Sequence, residues 1–109
     1  MPMSLTRSLI ALVPAALVLA APLTAHANLE LAKKSACMAC HAVDKKLVGP
    51  AFQDVAKKYD GKKDAVEAVM ASIKAGGSGK WGPIPMPAQA ALSDADVKTL
   101  ASWVLGGAK

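Results

Sequence analysis

The five residues Cys37-Met38-Ala39-Cys40-His41 constrain this chain more than any other stretch. Two cysteines two residues apart, followed at once by histidine, can take both vinyl groups of one haem and set an imidazole against its iron. The motif is short and also arises without haem. What gives it weight is a second stretch far downstream, Trp81-Gly82-Pro83-Ile84-Pro85-Met86-Pro87. A thioether placed opposite histidine suits haem to carrying electrons rather than to catalysis.

The N-terminus has the layout of a secretory signal peptide. Arg7 is the one charge before an apolar run from Leu9 to Ala21, and Ala25-His26-Ala27 ends the segment in a small-residue cleavage pattern. The run is interrupted by Pro14 and falls short of the roughly 20 residues that a membrane span needs, which counts against the alternative of an uncleaved anchor. We therefore expect residues 1–27 to be removed after Ala27, leaving a single domain over 28–109. That part is 82 of the 109 residues, and His41 is its only histidine.

Its charge is also informative. Twelve lysines and no arginine stand against eight carboxylates, a net charge of +4 for the part after Ala27. Basicity carried by lysine alone is poorly suited to nucleic acid, where bidentate contacts favour arginine. A lysine-rich surface that attracts acidic patches of protein partners fits better. At this size a side-chain core alone is marginal, and a covalently held haem supplies an apolar plate on which helices can pack. The chain without haem is expected to be largely unfolded.

Periodicity predicts an all-α chain. Asn28 reads as the N-cap of a short helix over Leu29–Ala36 that delivers Cys37 to its site. After His41 the chain loses helical period and reaches the turn signal Gly49-Pro50. Phe52, Val55, Ala56 and Tyr59 share one face of a short helix from Phe52 to Tyr59, ended by Asp60-Gly61, and Val66, Val69, Met70 and Ile73 share one face of the next, from Asp64 to Lys74. Gly76-Gly77-Ser78-Gly79 breaks the chain. Ser93 then caps a last helix, with Asp94 and Asp96 in its first turn and Val97, Leu100, Ala101 and Val104 on its apolar face. No repeat and no strand-period segment is visible.

Three methionines follow Ala27. Met38 lies inside the attachment loop and cannot cross to the other haem face. Met70 sits in a helical stripe, where filling the core is the better reading. Met86 is on neither helical nor strand spacing, and its flanking prolines lower the entropic cost of holding a thioether at iron. His41 and Met86 are the candidate iron ligands. Pro50 offers a carbonyl to the imidazole's other N–H, although Gly-Pro also serves as simple turn punctuation. The indole N–H of Trp81 has a haem propionate as an available acceptor, with plain packing as the alternative. Trp103 reads as core. The lysine pairs at 33/34, 45/46, 57/58 and 62/63 are either solvated faces or a rim that steers partners.

From Asn28 to Lys109 the chain resembles the small bacterial monohaem class I cytochromes c of the cytochrome c-551 type. The resemblance rests on Cys37-Met38-Ala39-Cys40-His41, Val48-Gly49-Pro50-Ala51, the Trp81–Pro87 segment and Trp103-Val104-Leu105. It implies N- and C-terminal helices packed with short middle helices around one haem c, bound through Cys37 and Cys40. It further implies His41 and Met86 as axial ligands, the Pro50 carbonyl on the histidine side, and Trp81 near a propionate. The implied role is periplasmic one-electron shuttling between respiratory components, by a monomer with no stable membrane insertion after cleavage. The donor and acceptor are left open, a terminal oxidase and a nitrite or peroxide reductase being equally compatible. The chain departs from the family at Gln89, where many members carry Asn, and at Ser72, where some carry Arg near the inner propionate. Three other functions are weaker. A haem enzyme or gas sensor needs Met86 to leave, against its bracing prolines. A thiol–disulfide oxidoreductase expects a βαβ pattern, and zinc finds only three of its usual four ligands.

Overall fold

The last helix is the element on which the others pack. The computed structural model describes residues 10–12 and 23–109, so most of the segment read as a leader lies outside the described residues. Four helices follow in order: α1 over Leu23–Lys34, α2 over Phe52–Lys58, α3 over Ala65–Ala75 and α4 over Asp94–Leu105, with a single 3-10 turn at Cys37–Ala39. Each of α1, α2 and α3 packs against α4. The described residues contain no named strand.

Helix α4 starts where its chemistry says it should. The Ser93 hydroxyl accepts from the Asp96 backbone N–H at 3.1 Å, and Asp94 and Asp96 place negative charge at the positive end of the helix. Lys74, from the last turn of α3, pairs with Asp94 and ties the two helices together. Val97, Leu100, Ala101 and Val104 are all buried, as their spacing predicts, and Trp103 joins them. Phe52 and Val55 bring α2 to this face, and Val69 and Ile73 bring α3, with Met70 packed at the edge of the core.

The first helix differs from its expected bounds. It begins at Leu23, five residues before Asn28, and ends at Lys34 rather than Ala36. Leucine and alanine are strong helix formers, so nothing stops the helix propagating backward through Asn28. Its end is set by Ala36, which adopts the left-handed conformation at φ 62° and ψ 16°. That kink starts the turn carrying Cys37.

Candidate functional site

Both cysteines and His41 stand at the mouth of a long cleft between the helices and the loop that carries Met86. Its cavity volume is about 270 Å³. Its floor is apolar. Eight of the eleven buried apolar residues wall it: Ala32, Phe52, Val55, Val69, Ile73, Leu100, Trp103 and Val104. Hydrophobic core and cleft wall are therefore largely one surface.

The His41 side of the cleft is built by backbone. Gly49 N–H donates to the Cys40 carbonyl at 2.7 Å, and Phe52 N–H to the Ala42 carbonyl at 2.9 Å, so the loop after His41 folds back over it. This places the Pro50 carbonyl oxygen 2.8 Å from His41 Nδ1. A carbonyl only accepts, so the proton is assigned to Nδ1 and Nε2 keeps its lone pair, the form in which imidazole binds metal. The ring stacks on Phe52 with centroids 5.0 Å apart and an interplanar angle of 20°. Phe52 in turn meets Trp103 edge-on at 5.5 Å. The indole Nε1 of Trp103 is buried without a hydrogen-bond partner in the protein.

The opposite wall is the loop after α3. Gly76 ends that helix at φ 64°, a conformation that glycine adopts freely. Gly77 and Met86 then exchange backbone hydrogen bonds, at 3.0 and 2.8 Å, and form one isolated bridge. Gln89 N–H donates to the Ile73 carbonyl at 3.0 Å and anchors the far end. Met86 is half-buried and packs on the edge of the core, whereas Trp81 is 39 % exposed. The Lys58 ammonium lies 4.4 Å from the centre of the Trp81 ring.

The candidate haem-site residues read from the sequence, Cys37, Cys40, His41, Pro50, Trp81 and Met86, all line this cleft. A floor of core side chains, two thiols and an imidazole on one side and a thioether on the other suit a large flat apolar cofactor with a metal at its centre. The cysteines are unpaired with each other. Burial pushes the Cys37 thiol up, only partly offset by a backbone hydrogen bond. That is opposite to the lowered value that activates a redox thiol, so thiol–disulfide exchange finds no support.

The model of the family described as cytochrome c matches residues 29–108. The chain belongs to the cytochrome c family. Cytochrome c-552 of Hydrogenobacter thermophilus is 57% identical over 79 residues, spanning 72% of this chain and 80% of its relative. Cytochrome c-551 of Pseudomonas denitrificans is 58% identical over 76 residues, or 70% and 92% of the two chains. The crystal structure of wild-type Nitrosomonas europaea cytochrome c552 superposes with a TM-score of 0.69 at 52% identity, covering 72% of this chain and 96% of that one.

The fold is thus the all-α class I cytochrome c fold. This cytochrome carries one haem c, bound covalently through Cys37 and Cys40, and it is an electron carrier rather than an enzyme. Sequence reasoning missed three residues that line the cleft and one beside it. Phe52 was read only as core, Gly49 only as turn, and Lys80 was not singled out; Lys58, over the Trp81 ring, was read only as one of a pair. The Gly-Pro signal was in view; the lysine contacts depend on loop geometry and left no trace in spacing.

Proposed function

We propose that this cytochrome shuttles single electrons between respiratory-chain components in the periplasm, with His41 and Met86 as the residues that would hold the haem iron. The bound haem supplies the one-electron couple. The chain's own residues do the rest. The observation that carries the reading is the His41 Nδ1 to Pro50 carbonyl contact at 2.8 Å, which orients the ring and makes Nε2 the better donor, in a cleft whose other wall presents Met86. Met86 is held by its bridge to Gly77 and flanked by Pro85 and Pro87, so its thioether is kept in place in either oxidation state. Low reorganisation on electron transfer follows. Trp81 is read as a donor to a propionate at the cleft rim.

The reading extends to location and partners. Residues 1–27 act as a signal peptide removed after Ala27, which delivers the chain to a compartment outside the cytoplasm. Exposed Val48 and Ile84 line the cleft together with Lys46 and Lys80, and Lys58 lies over the Trp81 ring beside it, so its rim is apolar with cations among it. Such a surface suits a brief encounter with an acidic patch on a larger redox protein, by a cytochrome that is itself monomeric. No helix among the described residues is long and apolar enough to cross a membrane.

The test is an optical spectrum of the haem-loaded protein, oxidised and reduced, beside Met86→Ala. We expect a methionine-to-ferric-iron charge-transfer band in the parent that is lost in the variant, and carbon monoxide binding to the reduced variant alone. A parent that lacks the band, or that binds carbon monoxide freely, overturns Met86 as ligand.

A further inference from the structure

At the Trp81 end of the cleft two lysines converge. Lys80 Nζ donates to Ser72 Oγ at 3.2 Å, and Lys58 Nζ donates to the Lys80 carbonyl at 3.1 Å while lying over the Trp81 ring. The Ser72 hydroxyl spends its own proton on the Ala68 carbonyl, one turn back in α3, at 3.1 Å. Its lone pairs therefore face outward. Ser72 is fixed as an acceptor, and the ammonium it receives is Lys80's.

The charges around this rim are lopsided. The described residues hold two ion pairs, Lys33 with Glu30 and Lys74 with Asp94, and neither involves Lys58 or Lys80. Ser72, Lys80 and Trp81 all line the cleft, as does Lys46 further round, and no carboxylate does. A long lysine on an open loop normally extends into water. Here the side chain turns back onto α3, at the mouth of an apolar cleft, and is held by a serine already committed to accept.

We propose that Lys80, positioned by Ser72, is the cationic partner of a carboxylate side chain of the bound haem. The inference rests on the reading that this cleft holds the haem, and it goes beyond it in naming which residue compensates the haem's own negative charge. Trp81 and Lys80 then offer an N–H donor and a charge from adjacent positions, while Lys58 pins the backbone between α2 and the loop. A carboxylate held by an ammonium forms a charge-assisted contact that costs less to desolvate than a free anion. Reduction adds one electron to the haem iron and makes or breaks no bond. A fixed cation beside the haem favours the reduced form, and Lys80 raises the midpoint potential.

The experiment is equilibrium redox titration of the haem-loaded protein for Lys80→Gln, Lys80→Glu, Lys80→Arg, Ser72→Ala and Lys98→Gln. Lys98 is exposed and lines no part of this cleft, so it controls for a change of one surface charge. Lys80 is itself exposed, and these substitutions leave the buried core untouched. We expect the potential to fall in Lys80→Gln, to fall further in Lys80→Glu, to hold in Lys80→Arg, and to fall by less in Ser72→Ala than in Lys80→Gln. Equal shifts in Lys80→Gln and Lys98→Gln, or equal shifts in the Gln and Arg variants, overturn the proposal. So does an unchanged potential, which assigns Lys80 to partner docking instead. The optical spectrum of each variant is recorded first: absence of the haem or of the methionine band sinks the broader reading, whereas a normal spectrum with no shift sinks this inference alone.

Discussion

Gly49 is held against the face of the His41 ring. A Cβ placed on it would lie 2.4 Å from Cε1, 2.7 Å from Nδ1 and 2.9 Å from Nε2, so no other residue fits without moving the imidazole. The ring cannot yield freely, because its Nδ1 is bonded to the Pro50 carbonyl next in the chain and it stacks on Phe52. Gly49→Ala must rotate the imidazole or push the 49–50 segment outward. Overpacking of this kind costs about 1–3 kcal/mol. We expect the haem-loaded variant to unfold at lower denaturant and to show a high-spin ferric fraction from weakened histidine ligation. An unchanged midpoint and spectrum would show that the ring has room to spare. Nothing in the sequence announced this contact. Gly-Pro was legible as a turn, but what the glycine avoids lies eight residues away and is visible only once the loop has folded back.

Among the helices, legibility followed local chemistry. The bounds of α2 and α3 came within a residue of their expected limits because their apolar spacing is helical and their ends carry Gly or Pro signals. The start of α4 was marked by Ser93 and two aspartates. The start of α1 was not legible, since the stretch before Asn28 has nothing that stops a helix. The cap on α4 matters most, because that helix meets all three others. In Ser93→Ala the Asp96 N–H loses its acceptor, at a cost of about 0.5–2 kcal/mol. Chemical denaturation of the haem-loaded protein should report that loss with the optical spectrum unchanged, since Ser93 lies away from the cleft. A spectral change without a stability change would contradict the assignment of Ser93 as a cap alone.

For the molecule as a whole, the distribution of buried residues decides what holds it together. Ten of the eleven buried apolar residues lie in helices, the exception being Ala51, which abuts α2. No residue from 76 to 92 is buried, although residues 76–87 of that stretch all line the cleft. Ordering a backbone costs about 1–2 kcal/mol per residue, and this segment has a handful of backbone hydrogen bonds and two partly buried apolar side chains, Met86 and Leu92, to set against it. A domain of this size is stable by only ~5–15 kcal/mol in favourable cases. We expect the apolar surface of the haem, attached through Cys37 and Cys40, to offset that cost, so that attachment and folding become one event. Cys37→Ala/Cys40→Ala, which removes both attachment points, should lose most of its helical signal in far-ultraviolet circular dichroism and melt without a cooperative transition. If that variant melts cooperatively with the helicity of the haem-loaded protein, the helices around α4 suffice alone. In that case the haem is a passenger in the fold rather than the surface on which it is assembled.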